Sequence, residues 1–169
     1  MSLTSAAAIG TVLSFFIFVT MAGWYAAPWL RARPRADALT ALLWVHAFRY
    51  VALQIFSAQK FGFATSDQTR NLIAAGDLIG MLMAIAAIVL LRYRVRAADV
   101  VVWAFVAETV VDLIYGTIAG AREQLYESAS NVTWLILVFY VPLLWVSLGL
   151  MIWLLLRRGG EAVSLVRAG

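Results

Sequence analysis

Apolar residues run through this chain in five long stretches, about 6–30, 38–58, 71–91, 98–118 and 133–156, separated by short polar connections. Each is long enough for an α-helix to cross a hydrocarbon layer, which takes about 20 residues at 1.5 Å rise apiece. The period-two alternation of barrel strands is absent, and a spanning segment must satisfy its backbone groups internally, so the pattern predicts helices throughout. The expected fold class is therefore all-α: an integral membrane bundle of five transmembrane helices forming a single membrane domain over residues 1–169. The connections leave no room for a separate soluble domain. The first stretch has no basic n-region and is longer than the apolar core of a signal peptide, so it is expected to be a retained helix.

Composition agrees with the pattern. Hydrophobic residues make up 64% of the chain and the mean hydropathy is +0.89, well above the roughly 45–50% apolar share of a soluble domain. Cysteine is absent, which excludes disulfides, thiolate metal ligands and thiol nucleophiles.

Charge adds an orientation. Arg31, Arg33 and Arg35, then Arg92, Arg94 and Arg96, then Arg157, Arg158 and Arg167 fall in alternate connections and the tail, nine basic residues against Lys60, Arg70 and Arg122 on the opposite side. The positive-inside rule then predicts an N-terminus outside and a C-terminus in the cytoplasm, in keeping with a bacterial inner membrane. The same clustering makes the pI of 9.9 a topology signal rather than a sign of nucleic-acid binding. Trp24, Tyr25 and Trp29 approach the cytoplasmic interface and Trp134 the outer one, where amphipathic rings prefer to lie.

Four ionisable residues break the pattern from within the spans: Arg49, Asp77, Glu108 and Asp112. A charge near the bilayer centre costs roughly 2.5–3.5 kcal/mol on insertion scales, so such residues face a protein interior, find partners and mark candidate sites. Helical spacing in the second span aligns His46, Arg49 or Tyr50, Leu53 or Gln54, and Ser57 in one stripe too polar for lipid. The fourth span places Phe105, Glu108, Asp112 and Tyr115 on one face, with two like charges one turn apart. In the third, Gly76 and Gly80 flank Asp77 with small residues that permit close helix approach. Counting along each span puts Arg49 and Glu108 near the midplane, Asp77, Asp112 and Gln54 in the outer half and His46 slightly inside it. Pro142 interrupts the fifth span and frees the carbonyl of Val138.

Charge accounting narrows the chemistry. With all groups ionised and His46 neutral, one positive and three negative charges would share a low-dielectric space. Arg49 is expected to pair with Glu108, the acid at its own depth, which leaves Asp77 and Asp112 to hold a proton between them, to be solvated, or to meet a cation. The leading expectation is a small polytopic membrane protein whose buried acidic pocket binds or transports a proton, a cation or a cationic or amphipathic small molecule. Asp77, Glu108 and Asp112 would supply the negative field, Arg49 would tune it, and His46, Tyr50, Gln54 and Tyr115 would orient the ligand. One alternative is an intramembrane enzyme of isomerase or hydrolase type that works on a lipid or isoprenoid, with two carboxyls in unlike environments as acid and base. Another is an accessory subunit of a larger membrane complex.

No cofactor is implied. His46 is the sole histidine and no span carries a lysine, so a bis-histidine haem and a retinal Schiff base are both excluded within one chain; no span carries a metal-ligand spacing such as HExxH. The expected partners are the lipid bilayer, a small amphipathic or cationic ligand, and further copies of the chain or other subunits, with no nucleic acid. In helix number, length and aromatic content the chain resembles the tryptophan-rich sensory protein and translocator protein family. The resemblance is architectural alone: Ala27-Pro28-Trp29 lacks the paired prolines of that family's first loop, and the buried acids have no place in its pattern.

Overall fold

A computed structural model describes residues 2–157 in full and the helical backbone as far as Arg167; the side chains of Arg158 and Arg167, counted in the charge asymmetry, lie outside it. The described chain is all-α. Five helices are long and apolar enough to cross a membrane: α1 (Leu3–Arg31), α2 (Arg35–Lys60), α3 (Asp67–Arg92), α4 (Ala98–Arg122) and α5 (Asn131–Arg157). Each runs a few residues past the apolar stretch that predicts it, and serine side chains cap the starts of α1 and α3. Ser66 caps α3 by accepting from the Thr69 backbone N–H at 3.2 Å, with Asp67 in the first turn where negative charge suits the helix dipole.

α3 is the central element. It packs between α2 and α4, while α5 packs on α2 and α4 and carries α1 on its outer side. α1 is peripheral: it buries only Ala7, Ala22 and Leu30 and leaves side chains such as Phe16 and Trp24 exposed. Its contact with α5 rests on a small residue, since Gly10 lies against Val138 and Trp134, and on an edge-to-face pair of Phe18 and Phe139 at 5.0 Å.

Both prolines inside spans are preceded by a widened turn. Ala22–Ala26 and Ile136–Tyr140 are π-helical, each ending two residues before its proline, Pro28 and Pro142. A proline ring collides with the carbonyl four residues back and supplies no N–H, and one extra residue per turn relieves both problems. The carbonyl freed at Val138 is thus accommodated by a π turn in α5.

Two apolar clusters fill the bundle. The larger includes Leu39 and Leu43 of α2, Ala84 and Ala87 of α3, Val102 and Phe105 of α4, and Leu148, Met151 and Leu154 of α5. The smaller gathers Ile55, Phe63, Ala74, Leu125 and Ala129 at the opposite end. The ionisable residues lie between them.

The ends of the bundle are distinct. At one end Arg35 pairs with Asp99 at 3.1 Å, and Arg31 and Arg157 both lie over Trp153. At the other, Glu123 joins the start of α3 to the end of α4. Its carboxylate accepts from Thr65 Oγ1 at 3.1 Å, Ser66 N at 3.0 Å, Ser66 Oγ at 2.7 Å and Thr69 Oγ1 at 2.5 Å, and the Ser128 hydroxyl accepts from Ala64 N beside it at 2.9 Å. Partial burial pushes the Glu123 carboxyl up, but the donors from Ser66, Thr69 and Thr65 outweigh it and hold the group down at about 2, against an ordinary 4.5. Because the folded value lies below the ordinary one, this stabilisation is complete above about pH 4.5 and drains away as pH falls toward about 2. Thermal unfolding of the detergent-solubilised protein should therefore show wild type ahead of Glu123→Gln by a constant margin from pH 7 to about 5, narrowing at lower pH. A margin that stays the same down to about pH 2 would mean that the ionised carboxylate contributes nothing.

Candidate functional site

α2 does not keep α-helical geometry through its middle. It is α-helical over Arg35–Ala47, 3₁₀ over Phe48–Gln54 and α-helical again over Ile55–Lys60. Such a run is longer than the 3–4 residues usual for 3₁₀ structure, and it changes which residues share a face. At three residues per turn, Arg49, Ala52 and Ile55 align and are buried, while Tyr50, Leu53 and Phe56 align on the opposite side and are exposed. The α-helical stripe expected from the sequence does not form. Near the change of ladder, the Tyr140 hydroxyl of α5 donates to the Val45 carbonyl at 2.8 Å.

The 3₁₀ segment delivers Arg49 to the centre of the bundle, where its side chain is 0% exposed. Each guanidinium nitrogen meets a different carboxylate. Nε donates to Asp77 Oδ1 at 2.8 Å, Nη1 to Glu108 Oε2 at 3.5 Å, and Nη2 to Asp112 Oδ2 in the shortest of the three contacts. Nη1 also donates to Thr109 Oγ1 at 3.2 Å, and that hydroxyl in turn donates to Glu108 Oε2 at 3.2 Å. Glu108, the partner expected from depth alone, is the most distant acid; Asp77 and Asp112 hold the guanidinium more closely.

Glycines make this approach possible. A Cβ at Gly80 would come within 2.5 Å of Arg49 Cζ, and one at Gly76 within 2.7 Å of Asp112 Cγ. The guanidinium and one carboxylate therefore lie directly on the α3 backbone, in the groove that Gly76 and Gly80 leave one turn apart. Asp77, between them, closes the third side.

Arg49 occupies one oxygen of each acid. The other three, Asp77 Oδ2, Glu108 Oε1 and Asp112 Oδ1, accept no hydrogen bond from any described residue. The acid side chains are 15%, 20% and 15% exposed for Asp77, Glu108 and Asp112, so the cluster is deeply set without being sealed.

Two depressions reach it. A groove between α3 and α4 is lined by Glu108, Asp112 and Tyr115 together with apolar side chains such as Leu72, Ile79 and Val111. A more enclosed cavity of about 220 Å³ lies among the 3₁₀ part of α2, the second half of α4 and the first half of α5. Asp112 borders both.

The remaining predicted residues sit apart from the guanidinium. Gln54 lines the cavity and donates to Thr133 Oγ1 of α5 at 3.0 Å, bridging two of its walls. Tyr115 lines the groove and Tyr50 faces outward beside Phe48. His46 is fully buried against Phe105, with Nε2 at 2.9 Å from Ser147 Oγ. That hydroxyl also lies 3.0 Å from the Leu144 carbonyl, and the His46 Nδ1 has no hydrogen-bond partner. His46 makes no hydrogen bond to the acids, and among the described residues no three His, Asp or Glu side chains are placed to hold a metal ion.

Sequence reasoning missed Thr109, Thr133 and Ser147. Thr109 follows Glu108 and precedes Asp112 by three residues, a polar adjacency that could have found it; the other two are legible only as partners of Gln54 and His46 across the fold.

A bundle of five membrane-length helices, with one buried guanidinium ringed by three acids from two neighbouring helices, is what the fold and the cluster define. The chain belongs to the family described as a domain of unknown function, DUF8737, whose model matches residues 6–156. No curated protein and no solved structure matches it.

Removing the guanidinium strands the acids. Arg49→Met should destabilise the fold by about 3–5 kcal/mol in equilibrium unfolding from mixed micelles, and neutralising the acids in Arg49→Met/Asp77→Asn/Asp112→Asn should recover part of the loss. Gly80→Ala should cost about 1–3 kcal/mol by displacing a side chain that has nowhere to go. Gly149→Ala, where a Cβ meets nothing within 4 Å, is the matched control. Equal effects at the two glycines would refute the close approach of Arg49 to α3.

Proposed function

We propose that this chain is a multi-pass membrane protein whose cluster of Arg49, Asp77, Glu108 and Asp112 binds a proton or a small cation within the bilayer. The observation that supports this reading best is the imbalance of the cluster. One guanidinium takes one oxygen from each of three acids and leaves three oxygens without a donor. Fully ionised, the group would carry a net charge of minus two between two apolar layers, and Coulomb repulsion in a low dielectric drives such a group to take up positive charge. Protonation of one acid, or a cation beside it, restores balance. Two acids coupled through a shared guanidinium would then titrate as a unit.

In this reading the end of the bundle with Arg31, Arg33, Arg35, Arg92, Arg94, Arg96 and Arg157 faces the cytoplasm and the Glu123 end faces outward, as the positive-inside rule orients them. The depth of the cluster, roughly halfway along α2, α3 and α4, is that of the substrate sites of many membrane carriers. Transport, rather than binding alone, would require the site to open alternately to each side.

The groove between α3 and α4 favours a second reading. Glu108 and Asp112 line it one turn apart beside side chains that would face lipid, so an acid and a base could act there on a lipid or isoprenoid entering sideways.

Proton binding separates the readings. Between pH 5 and 9 the purified wild-type chain should take up about one proton more than Asp112→Asn, as expected of a coupled carboxyl pair. Proteoliposomes should carry a proton or monovalent-cation flux that Asp77→Asn and Asp112→Asn lower about ten-fold or more, the equivalent of 1.4 kcal/mol at the barrier. Equal proton uptake by wild type and Asp112→Asn would refute the binding role. Normal uptake without flux, with turnover of a co-purified lipid lost in Glu108→Gln, would favour the enzyme.

A further inference from the structure

The enclosed cavity beside the cluster has a composition of its own. Among its lining residues Asp112 is the sole charged one, set at the deepest point that α4 contributes, and Ile55, Ile73, Leu113 and Leu137 supply apolar walls. Gly116 and Gly120 follow Asp112 at successive turns of α4 and line the same space. A Cβ at Gly116 would meet nothing within 4 Å, so the missing side chain is part of the volume.

Phe63 and Leu125, both buried, close the end of the cavity toward the connections, whereas Thr117 on α4 is exposed. Access is therefore from the side, between α4 and the first half of α5, which packs on α1 and not closely on α4. At about 220 Å³ the space exceeds the roughly 150 Å³ of an apolar cavity that holds benzene, which leaves room for one ring and a small head group and excludes a whole lipid.

From this geometry we infer that the cavity is a binding site for a compact hydrophobic ammonium ion, a single-ring or short-branched amine whose apolar body lies against Gly116 and Gly120 and whose charged head meets Asp112. The inference rests on the cation-binding reading of the cluster and gives that cation its chemical class. Arg49 already holds one oxygen of Asp112, yet two further acids share the same guanidinium, so the field at the deep end of the cavity attracts a cation despite the arginine. An amine suits a sideways route because its neutral form partitions into lipid and can regain its proton at the acid. A quaternary cation has no proton to release and can do neither, and a bulky one exceeds the cavity of about 220 Å³. Gln54 and Thr133, hydrogen-bonded to one another across the cavity, offer a second polar contact for the ammonium protons.

The test uses the full chain in lipid nanodiscs with radiolabelled benzylamine as the probe and toluene, benzyltrimethylammonium and tetraphenylphosphonium as competitors. Wild type should bind benzylamine saturably, with toluene, benzyltrimethylammonium and tetraphenylphosphonium each competing at least ten-fold more weakly than unlabelled benzylamine. Gly116→Leu, which fills the cavity from a position whose Cβ clears every neighbouring side chain by more than 4 Å, should lower affinity at least ten-fold and keep the pH-dependent proton uptake of wild type. Gly116→Ala should fold normally and fall between the two. Asp112→Asn should lose both benzylamine binding and the extra proton. Undiminished benzylamine binding in Gly116→Leu, or toluene competing as well as the amine, would overturn the inference. So would intact proton uptake with no benzylamine binding in wild type, and that result would leave the proton-binding reading standing. Loss of proton uptake from wild type itself would bring down the underlying reading.

Discussion

Burial of one guanidinium is the constraint around which the rest of the structure is arranged. Arg49 has no exposure, its three nitrogens each face a different acid, and a threonine hydroxyl accepts a further hydrogen bond from it. An arginine in such a place cannot shed its charge, so everything near it must accommodate a permanent cation. The planar fork of the side chain fixes where the acids stand, and the acids fix the rotation of α3 and α4 about their axes. A point charge such as lysine could not impose three directions at once.

The backbone yields to this demand in two places. α3 gives up side chains at Gly76 and Gly80, and α2 gives up α-helical geometry over Phe48–Gln54. Both have an energetic cost, since glycine lowers helix propensity by about 1 kcal/mol and 3₁₀ hydrogen bonds are poorer than α-helical ones. The apolar clusters on either side supply the offset: close-packed leucine, alanine and phenylalanine toward the arginine-rich end, and a smaller group around Phe63 and Leu125 toward the other. The charged layer is thus a thin polar seam in an otherwise apolar bundle.

The number and extent of the helices were legible in the sequence because each depends on a run of about twenty apolar residues, a local property. The meeting of Arg49, Asp77, Glu108 and Asp112 was legible for a related reason: a bilayer-length helix has few places to put a charge, and depth counting brings them to one level. What local reasoning could not supply was the geometry within that level. It paired Arg49 with Glu108 because α-helical rise puts them at equal height, but the 3₁₀ segment re-aims the arginine toward Asp77 and Asp112. The same segment turns Tyr50 outward, against a stripe drawn at 3.6 residues per turn. His46 reads as a neighbour of Arg49 along the chain, yet its partner Ser147 lies 101 positions away on α5, a contact that no periodicity contains. The π turns before Pro28 and Pro142 lie between these cases: the prolines announce a disturbance, and packing decides its form.

Asp112 belongs to two compartments at once, the cavity on one side of α4 and the groove on the other. A single wall with two faces makes the compartments thermodynamically inseparable. Whatever neutralises the carboxylate from one side weakens its pull on the other, and by reciprocity an occupant of the second face must disfavour the first to the same degree. The helix that keeps the two spaces apart is also the means by which each registers the state of its neighbour.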